Sequence, residues 1–127
     1  VSKDFNRLEN VTFITLAKID QIIFKATAYN SFSAQKTDHD VVSADECMLG
    51  KWYNGIGGEK FGNMQEFKDL QAPHNRVHEC LSAALSCLKE GKGGCVDNAE
   101  SIVDKLQEME DNSRLLFSLM DKISHHN

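Results

Sequence analysis

The strongest constraint on this chain is a three-four alternation of apolar side chains, sustained over two long segments that contain no proline. In the first, about residues 2–32, Phe5, Leu8, Thr12, Thr15, Ile19, Ile22, Ala26 and Tyr29 follow that spacing. Phe13, Leu16 and Ile23 form a second stripe beside it. In the last segment, about residues 96–123, the same spacing takes in Ala99, Ile102, Leu106, Met109, Ser113, Leu116, Met120 and Ile123. Such a period places the apolar residues on one helical face and leaves no room for strands.

Two shorter helices are expected between them. One spans about residues 72–90, with Pro73, the single proline, in its first turn and Gly91, Gly93 and Gly94 ending it. The other is Cys47-Met48-Leu49-Gly50-Lys51-Trp52-Tyr53, capped by Asp45 or Ser43 and stopped at Gly55. A polar loop holding Thr37, Asp38, His39 and Asp40 precedes it, and a loop with Phe61, Met64 and Phe67 leads on to Pro73. The expected fold is all-α: a single domain over 1–127, an antiparallel four-helix-type bundle of three long helices and one short. Two stripes on the first helix predict packing on two sides, against its own bundle and against a second copy in a homodimer. No cap precedes Ser2, which predicts continuation upstream into a coiled coil.

A hydrophobic content of 41% with this regularity supports a packed core in 127 residues. The net charge of −5, with lysines and arginines scattered, gives no basic stripe for nucleic acid or an anionic membrane. No apolar run is long enough for membrane insertion by this segment. The start at Val1 suggests a fragment of a longer protein. The cysteines Cys47, Cys80, Cys87 and Cys95 lack CxxC spacing, so free thiols and a reducing, cytoplasmic location are expected. Cys80, Cys87 and Cys95 are read as structural.

The chemistry concentrates at Pro73-His74-Asn75-Arg76-Val77-His78. His74 and His78 share a face with Val77, Leu81, Leu85 and Leu88, so both imidazoles point inward and need a hydrogen-bond partner or a metal. The spacing alone favours two satisfied core histidines over two zinc ligands. A protease HExxH is excluded by Asn75, and the zinc deaminase pattern is absent. Cys47 adds a thiol at a helix start, where its pKa should fall. Gly50 lets the short helix approach a neighbour. Trp52 and Tyr53 would cover the site, or simply anchor the core.

The pair CxLGxWY and HxxxH resembles the chemoreceptor zinc-binding (CZB) domain, found on bacterial chemoreceptors and some diguanylate cyclases. Residues 17–25, Ala-Lys-Ile-Asp-Gln-Ile-Ile-Phe-Lys, resemble the family's first-helix motif. The resemblance implies a dimeric helical bundle holding Zn2+, with Cys47, His74 and His78 as ligands. The family has histidine after Asp20, and this chain has Gln21. Gln21 shares a face with Ile14, Ala17 and Ala28. It can coordinate through its oxygen or bond a zinc-bound water, His39 can replace it from the loop, or the change weakens the site. A weakened or water-completed site is favoured.

The resemblance also implies a sensor rather than an enzyme: a C-terminal module of a chemoreceptor governing chemotaxis through an upstream signalling coiled coil. Cys47 would be the redox switch, responding to hypochlorous acid or to zinc level, with Asp20 or Asp45 tuning its proton. The alternatives are a structural zinc staple in a dimerisation module and the regulatory domain of a diguanylate cyclase. A hydrolase would use an open zinc position but lacks an evident base.

Overall fold

The computed structural model describes residues 3–34, 42–89 and 94–125. Its elements are α1 (Lys3–Ala34), α2 (Met48–Tyr53), α3 (Ile56–Phe61), α4 (Gln65–Leu85), a 3-10 turn at Ser86–Lys89, α5 (Gly94–Asp97) and α6 (Ala99–Ser124). The architecture is an all-α bundle, as the spacing predicts, and no strand occurs among the described residues.

Polar pairs fix the directions of the long helices. Lys18 of α1 pairs with Asp121, whereas Lys25 and Tyr29 reach Glu110 at 2.7 and 3.0 Å. α1 is therefore antiparallel to α6. Phe67 and Leu70 of α4 pack with Leu116, Leu119, Met120 and Ile123, and further along Val77, Leu81 and Leu85 pack with Met109. α4 is thus also antiparallel to α6 and runs parallel to α1. α4 and α6 touch along most of their length, while α1 rests on them more sparsely.

Several expectations need correction. On α1 the inward face is Ile14, Ala17, Gln21 and Ala28, whereas Leu8, Leu16, Ile19, Ile22 and Ile23 are exposed. Small Ala17 and Ala28 let the helix backbones approach, but they and Gln21 contribute little to a hydropathy pattern. α4 starts at Gln65, so Pro73 lies inside it rather than in its first turn. An interior proline removes one ladder bond and costs about 3 kcal/mol. Phe67 and Leu70, both buried before Pro73, offset this with roughly 1.5–3 kcal/mol each. The predicted loop around Phe61 is instead the helix α3, with Phe61 in the core.

The thiols also differ from expectation. Cys87 and Cys95 form a disulfide that ties the 3-10 turn to α5, while Cys47 and Cys80 are free. His39 and the loop residues around it lie outside the described residues.

Candidate metal centre

Cys47 is the N-cap of α2, with extended backbone (φ −78°, ψ 168°). The Gly50 N–H donates to its Sγ at 3.4 Å, so the thiol itself takes the capping role predicted for Ser43 or Asp45. Those two are engaged elsewhere: Ser43 donates to Glu46 at 3.0 Å, and Asp45 accepts from Asn54 at 3.5 Å. A Cβ on Gly50 would stand 1.7 Å from the Ala44 carbonyl oxygen. Only glycine therefore lets the 42–47 segment pass this close beneath α2.

α4 supplies His74 and His78 one turn apart, each 4% exposed. Their rings meet edge to face with centroids 4.9 Å apart. The ligand atoms of Cys47, His74 and His78 all lie within 4.8 Å of one another, and Sγ of Cys47 is 3.1 Å from Nε2 of His74. Around tetrahedral zinc such atoms stand roughly 3.3–3.6 Å apart, so small adjustments suffice.

His78 is already oriented. Its Nδ1 lies 2.7 Å from the Val42 carbonyl, and Phe24 of α1 stacks on the ring at 4.3 Å. A carbonyl can only accept, so Nδ1 bears the proton and Nε2 presents a bare lone pair. That Nε2 is buried and has no hydrogen-bond partner. A buried imidazole left in this state suits a metal ligand better than a satisfied core histidine.

Gln21, 1% exposed, comes from α1. Its Nε2 donates to Cys47 Sγ at 3.5 Å, and its Oε1 has no partner. Gln21 thus lies beside Cys47 in the structure.

Burial dominates the electrostatics. It pushes His74 down to about 4, with further lowering from His78. It also lowers His78, against the Val42 bond and the Asp20 charge. Both rings are thus held neutral, the form that binds a metal. Burial raises the Cys47 thiol, outweighing the donors at Gly50, Leu49 and Gln21, and Asp20 adds to the rise. The lowering expected from a helix start is not met, because α2 has only six residues and the sulfur is desolvated.

Asp20 thus acts on the site through its charge, on both Cys47 and His78. Trp52 packs among Phe13, Phe61 and Phe67, and Tyr53 stacks on Phe67 at 4.3 Å. They anchor the core beneath α2, which is the plainer of their two expected roles. Two contributors were missed. Val42 acts through a backbone carbonyl, which leaves no side-chain signature, and Phe24 could have been found one turn beyond Gln21 on the same face.

A family model of the chemoreceptor zinc-binding domain matches residues 21–85, about half the chain. The matched span opens on Gln21 and contains Cys47, His74 and His78. No match was found among the curated proteins or the solved structures compared. With the matched residues converging on one buried cluster of the donor types zinc prefers, the chain belongs to the chemoreceptor zinc-binding domain family.

Proposed function

We propose that this chain is a zinc-binding sensory domain of a bacterial chemoreceptor, with Cys47 as a switch answering to hypochlorous acid or to zinc supply. The observation that supports this most is the unpartnered Nε2 of His78, buried in one cluster with Cys47 Sγ and His74 Nε2. Zinc, when bound, would hold the Cys47 sulfur as thiolate at neutral pH.

The chain's own groups then set the chemistry. N–H groups of Gly50, Leu49 and Gln21 point at the sulfur and steady its negative charge. Thiolate and hypochlorous acid give sulfenic acid and chloride; sulfur loses two electrons and chlorine gains them. The oxidised sulfur is a poor ligand and a poor partner for the Gly50 N–H. α2 would then shift, and Leu49 and Trp52 carry that shift into a core shared with Ile14 of α1 and Leu116 of α6. The exposed apolar side chains of α1 would join two copies, continuous with a signalling coiled coil upstream. No helix among the described residues is long and apolar enough to cross a membrane.

The test is zinc release on titration with hypochlorous acid, read with a chelating dye beside circular dichroism, for this chain and Cys47→Ser. Stoichiometric release with helicity retained supports a switch, and a full oxidant response from Cys47→Ser sinks it. Zinc loss that always melts the bundle favours a structural staple instead.

A further inference from the structure

Two buried side-chain atoms stand without a hydrogen-bond partner among the described residues: Nε2 of His78 and Oε1 of Gln21. They come from different helices, α4 and α1, and both are lone pairs. His78 has its proton on Nδ1, against Val42. A carboxamide oxygen has none to give. Two lone pairs cannot satisfy one another, so each calls for an electropositive partner.

The neighbouring sulfur favours one orientation of the amide. Its Nε2 donates to Cys47 Sγ, and the thiol's own proton, when present, is directed at the Ala44 carbonyl 3.4 Å away. Exchanging the amide ends would set oxygen against a sulfur already committed as a donor elsewhere. Oxygen is therefore the free end.

We infer that Gln21 fills the fourth position of the metal centre through Oε1, and that this bond is how α1 reads the state of the site. The inference rests on the reading of Cys47, His74 and His78 as zinc ligands. Those three belong to the start of α2 and to α4, so an ion held by them alone ties α2 to α4 and reaches α1 only indirectly, through Phe24 stacked on His78 and the Gln21 N–H on the sulfur. Among the described residues, Gln21 is the side chain of α1 that reaches the Cys47 sulfur. That helix also rests on the bundle through Ile14, Ala17 and Ala28, through the rings of Phe24 and Tyr29, and through polar clasps, Lys18 with Asp121 and Lys25 with Glu110 and Ser113. A neutral amide oxygen holds zinc less firmly than an imidazole. The link to α1 is thus the exchangeable part of the centre.

The test compares this chain with Gln21→Leu, similar in size but without lone pairs, and with Gln21→His. Cobalt(II) serves as the spectroscopic probe and zinc as the ion for chelator competition and for hydrogen exchange of α1. The expected result for this chain is about one ion per chain, a thiolate-to-cobalt charge-transfer band, and zinc-dependent slowing of exchange in both α1 and α4. Gln21→Leu should keep the band, alter the d–d absorption, bind zinc about ten-fold or more weakly, and lose the slowing in α1 alone. Gln21→His should restore it. Unchanged d–d absorption, affinity and α1 exchange in Gln21→Leu would overturn the inference and assign the fourth position to water. Failure of this chain to take up either ion would overturn the three-ligand reading and this inference with it, and the band separates the two cases.

Discussion

Sγ of Cys47 and Nε2 of His74 stand 3.1 Å apart, although 27 positions separate the residues in the chain. The distance is a little shorter than the roughly 3.6 Å expected between sulfur and nitrogen across tetrahedral zinc. The pair is therefore held together by the fold itself, and an ion has only to spread it slightly. Replacing either partner should cost more than the roughly 10–100-fold in affinity that loss of an outer partner costs. Chelator competition on Cys47→Ser and His74→Ala checks this. Affinity within a few-fold of the parent chain would remove these two residues from the site.

Stability of the zinc-free chain should depend on pH through His74. Its pKa is about 4 in the fold against an ordinary 6.5. Between those values the unfolded chain takes up a proton that the folded chain refuses. Stability is therefore complete above the ordinary value and is lost as pH falls towards the folded one, by up to about 3 kcal/mol. Denaturant unfolding with chelator present, between pH about 7 and about 5, should show the decline, and His74→Gln should flatten it. Zinc uptake must displace the proton of the Cys47 thiol, which burial holds above its ordinary value, so zinc affinity should fall in the same direction.

Gly50→Ala should damage fold and site together. The new methyl meets the Ala44 carbonyl, a backbone group that can yield only by moving the segment that bears Cys47. A loss of about 1–3 kcal/mol is expected, with weaker zinc binding alongside. Thermal melts and chelator competition on one sample would reveal it. A loss of stability with zinc affinity unchanged would mean that the segment and the site are independent.

The Cys87–Cys95 bridge closes a loop of sequence separation 8. Loop-closure entropy for so short a span gives about 2–3 kcal/mol. Cys95→Ser should lower the unfolding free energy by that amount and leave zinc uptake as it was, since the bridge lies apart from the cluster. Denaturant titration with metal analysis decides this.

If copies associate through α1, Ile23→Glu should shift the chain to monomer without lowering its helicity. Ile23 is 58% exposed, so the single copy has no need of its apolar surface. Light scattering read beside circular dichroism provides the check. A dimer that persists unaltered would place the interface elsewhere.

How far the sequence was legible follows from what leaves a periodic trace. Val77, Leu81 and Leu85 with His74 and His78 lie on one face of one helix, so local spacing reveals them, and all five are buried. Met109, Leu116, Met120 and Ile123 are legible for the same reason. The inner face of α1 was misread because it is built from alanine and glutamine, whose value is close approach and hydrogen bonding rather than hydropathy. Pro73 was placed at a helix start by local preference, which the burial of Phe67 and Leu70 overrides. The Val42 carbonyl could not be seen at all, since every residue has one.

The 42–47 segment contributes to the centre twice, at one end through the Val42 carbonyl that pins His78 and at the other through the sulfur of Cys47. On the proposed reading these supports are coupled. If the sulfur left the metal, the short stretch that bears it would be freed, and the carbonyl that sets the tautomer of the second imidazole would go with it. A centre wired in this way would behave as a fuse and not as a dial, holding through small insults and then opening completely.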